Sequence, residues 1–320
     1  ALRYPEPDGR GADTVSLVLA IEELAWGSLS LAAVCTMQSL MGTTFVHRFG
    51  DLDLRARLLE PALRGDRVGA ICMTEPEAGS DLASVKTRGE RVGDRWTITG
   101  AKTWVTSAPV ADFFTVLART GERALSFFLV EAGVPGLRIG RHIDKLGVRA
   151  SPTAEVFFES TPATALLGEE GAGLSYLRDL LADIRIVTAA LALGVGRAAH
   201  EEARAWAQTR KQFGREIGEF QAVQAHLAEM AVDLEAARRL TYWAAWRRDT
   251  GLPCATEGAM AKLFASEAAT RVCDRASRVL ASWGFAAESA MARYLRDVRF
   301  TLLGGGTSEI LRGAIAKEMR

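Results

Sequence analysis

Four short segments carry side chains that could bind or react with a ligand. Met73-Thr74-Glu75-Pro76-Glu77-Ala78-Gly79-Ser80-Asp81 combines the hydroxyls of Thr74 and Ser80 with Gly79, which permits close backbone approach. A loop of this kind suits an anionic or polar ligand held by successive N–H groups and hydroxyls. A polar turn is the plain alternative. Lys102-Thr103-Trp104-Val105-Thr106-Ser107 reads as a strand. Alternation predicts Trp104 and Thr106 on one face, where the indole packs on a planar ring and the hydroxyl donates to its edge. A core Trp beside a satisfied Thr is the competing reading. Arg210-Lys211-Gln212-Phe213-Gly214, followed by Phe220-Gln221, sits at a helix end. It suits either a phosphate or simple complementarity to the helix dipole. In Gly304-Gly305-Gly306-Thr307-Ser308-Glu309-Ile310, three glycines run into a helix start. There Thr307 caps the helix, the turn's N–H groups bind a ligand, or both.

The elements that must position these segments fall into three zones. Residues 1–69 are helical, with apolar positions three and four apart in LVLAIEELAWGSLSLAAV and LDLRARLLEPALRG. Residues 70–163 switch to short runs rich in Val, Ile, Thr, Phe and Trp, including a hairpin turn at Gly93-Asp94. Residues 164–320 return to long helical periods, broken by Gly251 and Pro253 and resumed in EGAMAKLFASEAATRVCDRASRVLASWGF. Segregated layers of this kind predict an α+β fold: an N-terminal helical domain, a central antiparallel β-domain and a C-terminal four-helix bundle.

Composition narrows the function. The 320 residues balance 39 Lys+Arg against 39 Asp+Glu. That argues against nucleic acid as a principal ligand, which needs a basic excess. Cys35, Cys72, Cys254 and Cys273 are scattered, and the four histidines lack metal-ligand spacing. No disulfide framework or metal site is expected, and a reducing, cytoplasmic setting fits. Residues 25–46 carry no charge, but their Gly, Ser, Thr and Gln content predicts buried helix rather than a membrane span.

Taken together, TEPEAGSD, KTWVTSA, KLGVRASPTAEVFFE, RKQFGREIGEFQ and GGTSEI, in this order and at these spacings, closely resemble the acyl-CoA dehydrogenase flavoprotein family. The resemblance runs from EELAWG at 22–27 to the C-terminus. It implies FAD as cofactor and α,β-dehydrogenation of an acyl thioester, on CoA or a carrier protein. A homotetramer or dimer and an electron-transfer flavoprotein acceptor are implied as well. The chain opens at Ala1 in what reads as a loop, and part of the family's first helices is expected to be missing.

By position, the resemblance assigns Met73, Thr74, Gly79, Ser80, Trp104, Val105 and Thr106 to the flavin and its phosphates. Arg210, Gln212, Phe213 and Gln221 would reach the ADP part of a neighbouring subunit's FAD, while Thr307 and Glu309 would complete the cofactor site. Ser80, Arg185 and Gly305 would face the substrate.

Two departures stand out. The family's proton-abstracting Glu usually precedes the Gly-Thr of the last motif, and that position is Gly305. A minority takes its Glu from the long helix just before the Arg, and that position is Ile184. Neither accepts a proton. Asp183 is one residue away, turned by about 100° on a helix, so a solvated or N-terminal-turn carboxylate pointing elsewhere is the expectation, and a catalytic role would need a local distortion of the helix. The stretch Arg278-Val279-Leu280-Ala281-Ser282 lacks the family's Gln and Gly-Gly, and Arg278 would compensate by pairing with a phosphate. The catalytic residue is therefore unassigned. Besides a dehydrogenase with its base elsewhere, the residues leave open a flavin oxidase or monooxygenase, and a non-catalytic FAD-binding subunit.

Overall fold

A computed structural model describes Tyr4 and residues 10–319; Ala1, which the sequence places in a loop, lies outside them. In chain order the first helices are α1 (Thr14–Gly27), α2 (Leu29–Thr36), α3 (Thr44–Phe49), α4 (Leu52–Leu54) and α5 (Glu60–Arg64). Eight strands follow: β1 (Gly69–Cys72), β2 (Arg88–Val92), β3 (Arg95–Thr106), β4 (Phe113–Arg119), β5 (Leu125–Glu131), β6 (Leu137–His142), β7 (Thr153–Pro162) and β8 (Ala165–Leu167). Then come α6 (Gly173–Thr209), a small hairpin of β9 (Lys211–Gln212) and β10 (Arg215–Glu216), α7 (Gln221–Asp249), α8 (Ala255–Leu280), α9 (Ser282–Phe285), α10 (Ala290–Asp297) and α11 (Ser308–Glu318). These helices and strands form two compact units, and the division falls within α2 and α6.

One unit holds residues 34–145 and 149–180 and is built on the sheet. The strand order is β6-β7-β3-β2-β4-β5-β8, with β1 added alongside β4. Pairing is antiparallel except that β1 and one bridge of β2 run parallel to β4. Val92 and Arg95 face each other across Gly93-Asp94, the expected hairpin turn. Strands β4 and β5 are buried almost from end to end. Their largely apolar runs, FFTVLA and LSFFLV, interrupted only by Thr115 and Ser126, mark strands covered on both faces, where alternation has no reason to appear. Phe114, Phe128, Phe158, Val116 and Val156 fill one side of the sheet. Phe45 of α3 packs against Phe127 with ring centroids 4.1 Å apart and the rings tilted by 40°. The stretch Leu29–Phe49 is long and apolar enough to cross a membrane by composition, yet 61 % of it is buried within the protein, as a core segment would be.

The other unit gathers α1, residues 146–148 and the chain from 181 onward. Helices α7 and α8 pack together and bury small side chains, Ala237, Ala244 and Ala245 on one and Ala261, Ala265, Ala268 and Ala269 on the other. Helix α1 is tied in by Glu22, a fully buried carboxylate. It accepts from Arg197 (3.1 Å), Arg238 (2.5 Å) and Tyr242 (3.0 Å). Gly194 of α6 makes that crossing possible, because a Cβ there would lie 2.3 Å from the Glu22 carbonyl. Thr307 caps α11 by accepting from the Ile310 amide.

Candidate functional site

In the sheet unit, the loop 73–81 and the end of β3 are fastened to one another. The Thr103 amide donates to the Thr74 carbonyl (2.9 Å). Lys102, fully buried, donates through Nζ to the Met73 carbonyl (3.0 Å) and to Glu75 Oε1 (2.8 Å). Glu75 also accepts from the amides of Lys86 (2.6 Å) and Thr87 (2.9 Å). Burial alone would raise the Glu75 pKa, but the hydrogen bonds from Lys102, Lys86 and Thr87 outweigh it and hold the carboxyl below its ordinary value. Motif residues that carried no assigned role thus form the anchor beneath the loop. The sequence carries half the signal: a Lys buried in a strand needs a partner, but nothing local names Glu75.

Turning Lys102 inward has a consequence two residues later. Simple alternation would put Trp104 on the same side as Lys102. Instead a bulge separates Lys102 from Val105, and Trp104 takes φ 56°. Its indole is lifted outward, 57 % exposed, while Val105 beside it is buried in the sheet core. Val105 therefore has only its peptide groups to offer a ligand. Thr106 is half-buried, and Trp104 and Thr106 do flank a buried residue as expected. Met73 and Thr74 are half-buried, and Gly79 and Ser80 exposed. A Cβ at Gly79 would find only the Thr74 methyl, at 3.8 Å. An outward aromatic on a strained backbone, next to hydroxyls and an open glycine turn, fits a planar ring carrying phosphates.

In the helical unit, the β9–β10 hairpin presents Phe213 at φ 53° with its ring 94 % exposed. Arg210, Gln212 and Gln221 are exposed nearby in sequence. Arg278 is exposed and pairs with Asp274 (2.9 Å), one turn earlier on α8. It borders a groove of about 310 Å³ lined with His226, Glu229, Arg271, Asp274 and Arg275. Glu309 is exposed at the start of α11.

The Gly304–Gly306 turn is held from below by Lys262 of α8, fully buried, which donates to the carbonyls of Leu302 (3.1 Å) and Gly306 (2.7 Å). Burial pushes its pKa down to about 8. Gly305, at φ 73°, lies against α6: a Cβ there would sit 3.3 Å from Ile184 Cγ2, 3.3 Å from Thr188 Oγ1 and 3.9 Å from Arg185 Cα. Gly305, Ile184 and Arg185 are thus one locus. Arg185 is partly buried, and its Nε is buried without an acceptor. Asp183 is absent from this locus. It is buried rather than solvated, and its carboxylate pairs with Arg248 of α7 at 2.7 Å.

Family models match nearly the whole chain: acyl-CoA dehydrogenase, N-terminal domain, over residues 1–66; middle domain over 70–161; C-terminal domain over 171–320. The chain belongs to the acyl-CoA dehydrogenase family. It is an FAD-dependent oxidoreductase acting on the CH–CH group of an acyl thioester. Among its relatives is the benzylmalonyl-CoA dehydrogenase of Aromatoleum aromaticum, 56 % identical over 323 residues, covering 99 % of this chain and 86 % of that one. A chain from the structural study of the electron transferring flavoprotein of Acidaminococcus fermentans superposes with TM-score 0.96 at 34 % identity, covering 99 % of this chain and 86 % of that one. Butyryl-CoA dehydrogenase from Megasphaera elsdenii gives 0.95 at 32 % identity, with the same coverage. The expected family, fold, cofactor and reaction class are the observed ones. This acyl-CoA dehydrogenase nevertheless has Gly305 and Ile184 at the two positions from which the family resemblance expected a base.

Proposed function

We propose that this acyl-CoA dehydrogenase oxidises a thioester that carries a carboxylate on its α-carbon, an arylalkylmalonyl-CoA, and that loss of CO2 takes the place of proton abstraction. The observation that carries this reading is the contact between Gly305 and Ile184, with no carboxylate at either. The 56 % identical relative supports it, because its name specifies a malonyl thioester substituted at C2.

The electron count explains why a base is then unnecessary. The bond between Cα and the carboxyl carbon breaks and CO2 departs. That electron pair becomes the second bond between Cα and Cβ as hydride leaves Cβ. Substrate anion is converted to neutral unsaturated thioester, CO2 and hydride, and no proton is removed. When bound, FAD supplies the hydride acceptor. On the sheet unit Met73, Thr74, Gly79, Ser80, Trp104, Val105 and Thr106 would hold it. On the helical unit, Arg210, Gln212, Phe213, Gln221 and Arg278 would reach the FAD of a neighbouring copy, and Thr307 and Glu309 are the further residues assigned to a cofactor. Lys262 keeps the Gly304–Gly306 turn in place, and Ile184 offers an apolar side chain where an acid would otherwise stand. An apolar surround favours conversion of a carboxylate to neutral CO2, since the charge is costlier to keep there than in water.

The exposed Phe213 hairpin supports a homo-oligomer, a tetramer or dimer, in which Arg210, Gln212 and Phe213 reach a neighbouring copy's cofactor. An electron-transfer flavoprotein as acceptor is supported by the likeness to the Acidaminococcus chain. CoA, rather than a carrier protein, is the form named in the relative.

The test is an anaerobic titration of the yellow holoenzyme with benzylmalonyl-CoA and, separately, with 3-phenylpropionyl-CoA. Bleaching of the flavin by the first, with one CO2 released per flavin reduced and no bleaching by the second, is the expected result. Equal bleaching by 3-phenylpropionyl-CoA, or reduction without CO2, defeats the reading.

A further inference from the structure

Within the helical unit, the segments that carry Arg210 and Arg278 meet through a pair of tryptophans. On the first segment, α6 ends in Trp206 and Arg210, one turn apart, and the Arg210 amide donates to the Trp206 carbonyl (2.9 Å). The β9–β10 hairpin folds back on that turn. The Ile217 amide donates to the Arg210 carbonyl (2.8 Å), and a Cβ at Gly218 would lie 3.0 Å from the Ala207 carbonyl oxygen. On the second segment, α9 packs back on the last turn of α8, because Gly284 has no Cβ; one there would lie 2.5 Å from the carbonyl oxygen of Ser277, the neighbour of Arg278. Ala281 makes the reversal at φ 53° and ψ −129°, a strained conformation for a residue with a side chain. The result is that the Trp283 indole lies beside that of Trp206, with ring centroids 6.4 Å apart and planes within 9° of parallel. A core pair would be buried. Here Trp206 is half-buried and Trp283 is 42 % exposed, on a turn whose Ala281 and Ser282 are exposed too. Arg210 is exposed, and the Arg278–Asp274 pair joins two side chains that are each more than half exposed. Parallel indoles with open guanidiniums on the same two turns suit a heterocyclic base that carries phosphates: the base stacks, and the guanidinium meets the phosphate.

We infer that Trp206 and Trp283 form the platform on which the adenine ring of a neighbouring copy's FAD stacks. This rests on the proposed oligomer, in which the end of α6 reaches that cofactor. It assigns the base to the two indoles and leaves the diphosphate to Arg210 and Arg278. Stacking on an aromatic face needs no hydrogen-bond donor and no close backbone approach, so it holds the nucleotide end although the 278–282 stretch offers neither a Gln nor a Gly-Gly pair. The platform touches adenine alone. Its loss therefore weakens FAD and spares FMN, which carries the flavin and one phosphate but no adenine.

The experiment strips the full chain of flavin and titrates it with FAD and, separately, with FMN, following flavin fluorescence. Wild type is compared with Trp283→Leu, Trp206→Leu and Trp283→Phe. Thermal midpoint and gel filtration check that each chain is folded and report its oligomeric state. Expected for W283L and W206L is a Kd for FAD raised about tenfold with the Kd for FMN unchanged; removing one stacked aromatic has about that effect. W283F keeps a ring and is expected to retain most of the FAD affinity. Should W206L not fold, W283L decides alone, because its partly exposed ring bears less packing. FAD and FMN weakened by the same factor would assign the indoles to packing and overturn the inference, as would a Kd for FAD that W283L leaves unchanged. A W283F as weak for FAD as W283L would overturn it too. If the holoenzyme runs as a monomer, the neighbouring-copy reading fails separately, and the FAD-to-FMN ratio still decides whether the indoles hold an adenine.

Discussion

Gly305 and Ile184 lie face to face: a Cβ on the first would touch Cγ2 of the second at 3.3 Å. They are 121 positions apart in the chain. They are also the two positions from which the family resemblance expected a proton-abstracting Glu. The structure thus brings both alternatives to a single spot and leaves that spot without an acid. Replacing either residue should put one back.

Gly305→Glu must take φ 73° with a side chain, at a cost of about 1–2 kcal/mol, and crowds Ile184 and Thr188. Ile184→Glu avoids the backbone penalty because α6 is regular there. Each variant is expected to gain flavin bleaching by 3-phenylpropionyl-CoA, measured anaerobically. If both retain FAD and neither gains it, the missing carboxylate is not what limits the chain to its substrates.

Asp183→Asn separates a structural acid from a catalytic one. Its partner is Arg248, at 2.7 Å, and the pair is only partly shielded on the Arg side. Breaking it should cost about 1–3 kcal/mol, less than a fully buried pair, and lower the thermal midpoint by several degrees. Turnover per flavin should stay within about twofold of the wild type when assayed well below the new midpoint. A loss of a hundredfold or more would return Asp183 to the chemistry.

Glu75 should govern acid sensitivity of the loop beneath Trp104. Its folded-state pKa is held below the ordinary 4.5. The unfolded chain therefore takes up the proton first, and the stability that Glu75 contributes above that range is lost as the pH falls through its folded value. Glu75→Gln should remove about 3 kcal/mol by leaving Lys102 buried without its counter-ion, and should flatten the acid limb of the stability curve. FAD content after gel filtration at pH 7 should fall as well. An unchanged acid limb in E75Q would show that other carboxylates set it.

Lys262 makes a prediction of the same sign at alkaline pH. With a pKa pushed down to about 8, the folded chain releases this proton before the unfolded chain does, near 10.5. Between those values the unfolded state binds more protons, so the cost of burying the charge is relieved and stability rises with pH. Lys262→Met leaves the Leu302 and Gly306 carbonyls without their donor, about 1–3 kcal/mol for each buried acceptor. The difference in unfolding free energy between wild type and K262M should widen from pH 8 to pH 10. A constant difference would mean the amine stays charged throughout.

Local chemistry made some of this legible in the residues. Gly93-Asp94 closes its hairpin, Thr307 caps its helix, and the largely apolar runs of β4 and β5 occupy the interior. What could not be read depended on distant partners. The bulge that lifts Trp104 begins at Lys102, which turns inward to reach Glu75, 27 residues earlier. Lys262 sits in a helical pattern where a Lys ordinarily faces water, and only the tertiary fold shows the two carbonyls waiting for it. Asp183 was expected in solvent because nothing local points to Arg248, 65 residues away. The locus itself was half visible: both base positions were identified as vacant, but not that they touch.

The vacancy at Gly305 and Ile184 also bears on how such a protein lives among other thioesters. A dehydrogenase that carries its own base must discriminate by the shape of the acyl cavity, because any thioester that fits can lose an α-proton. On the proposed reading, an ordinary saturated acyl-CoA that enters meets no carboxylate at Gly305 or Ile184, and it is expected to leave with its α-hydrogens unexchanged with deuterated solvent. Fidelity is built in as an incapacity rather than as a tight fit, and the cavity walls are free to be permissive.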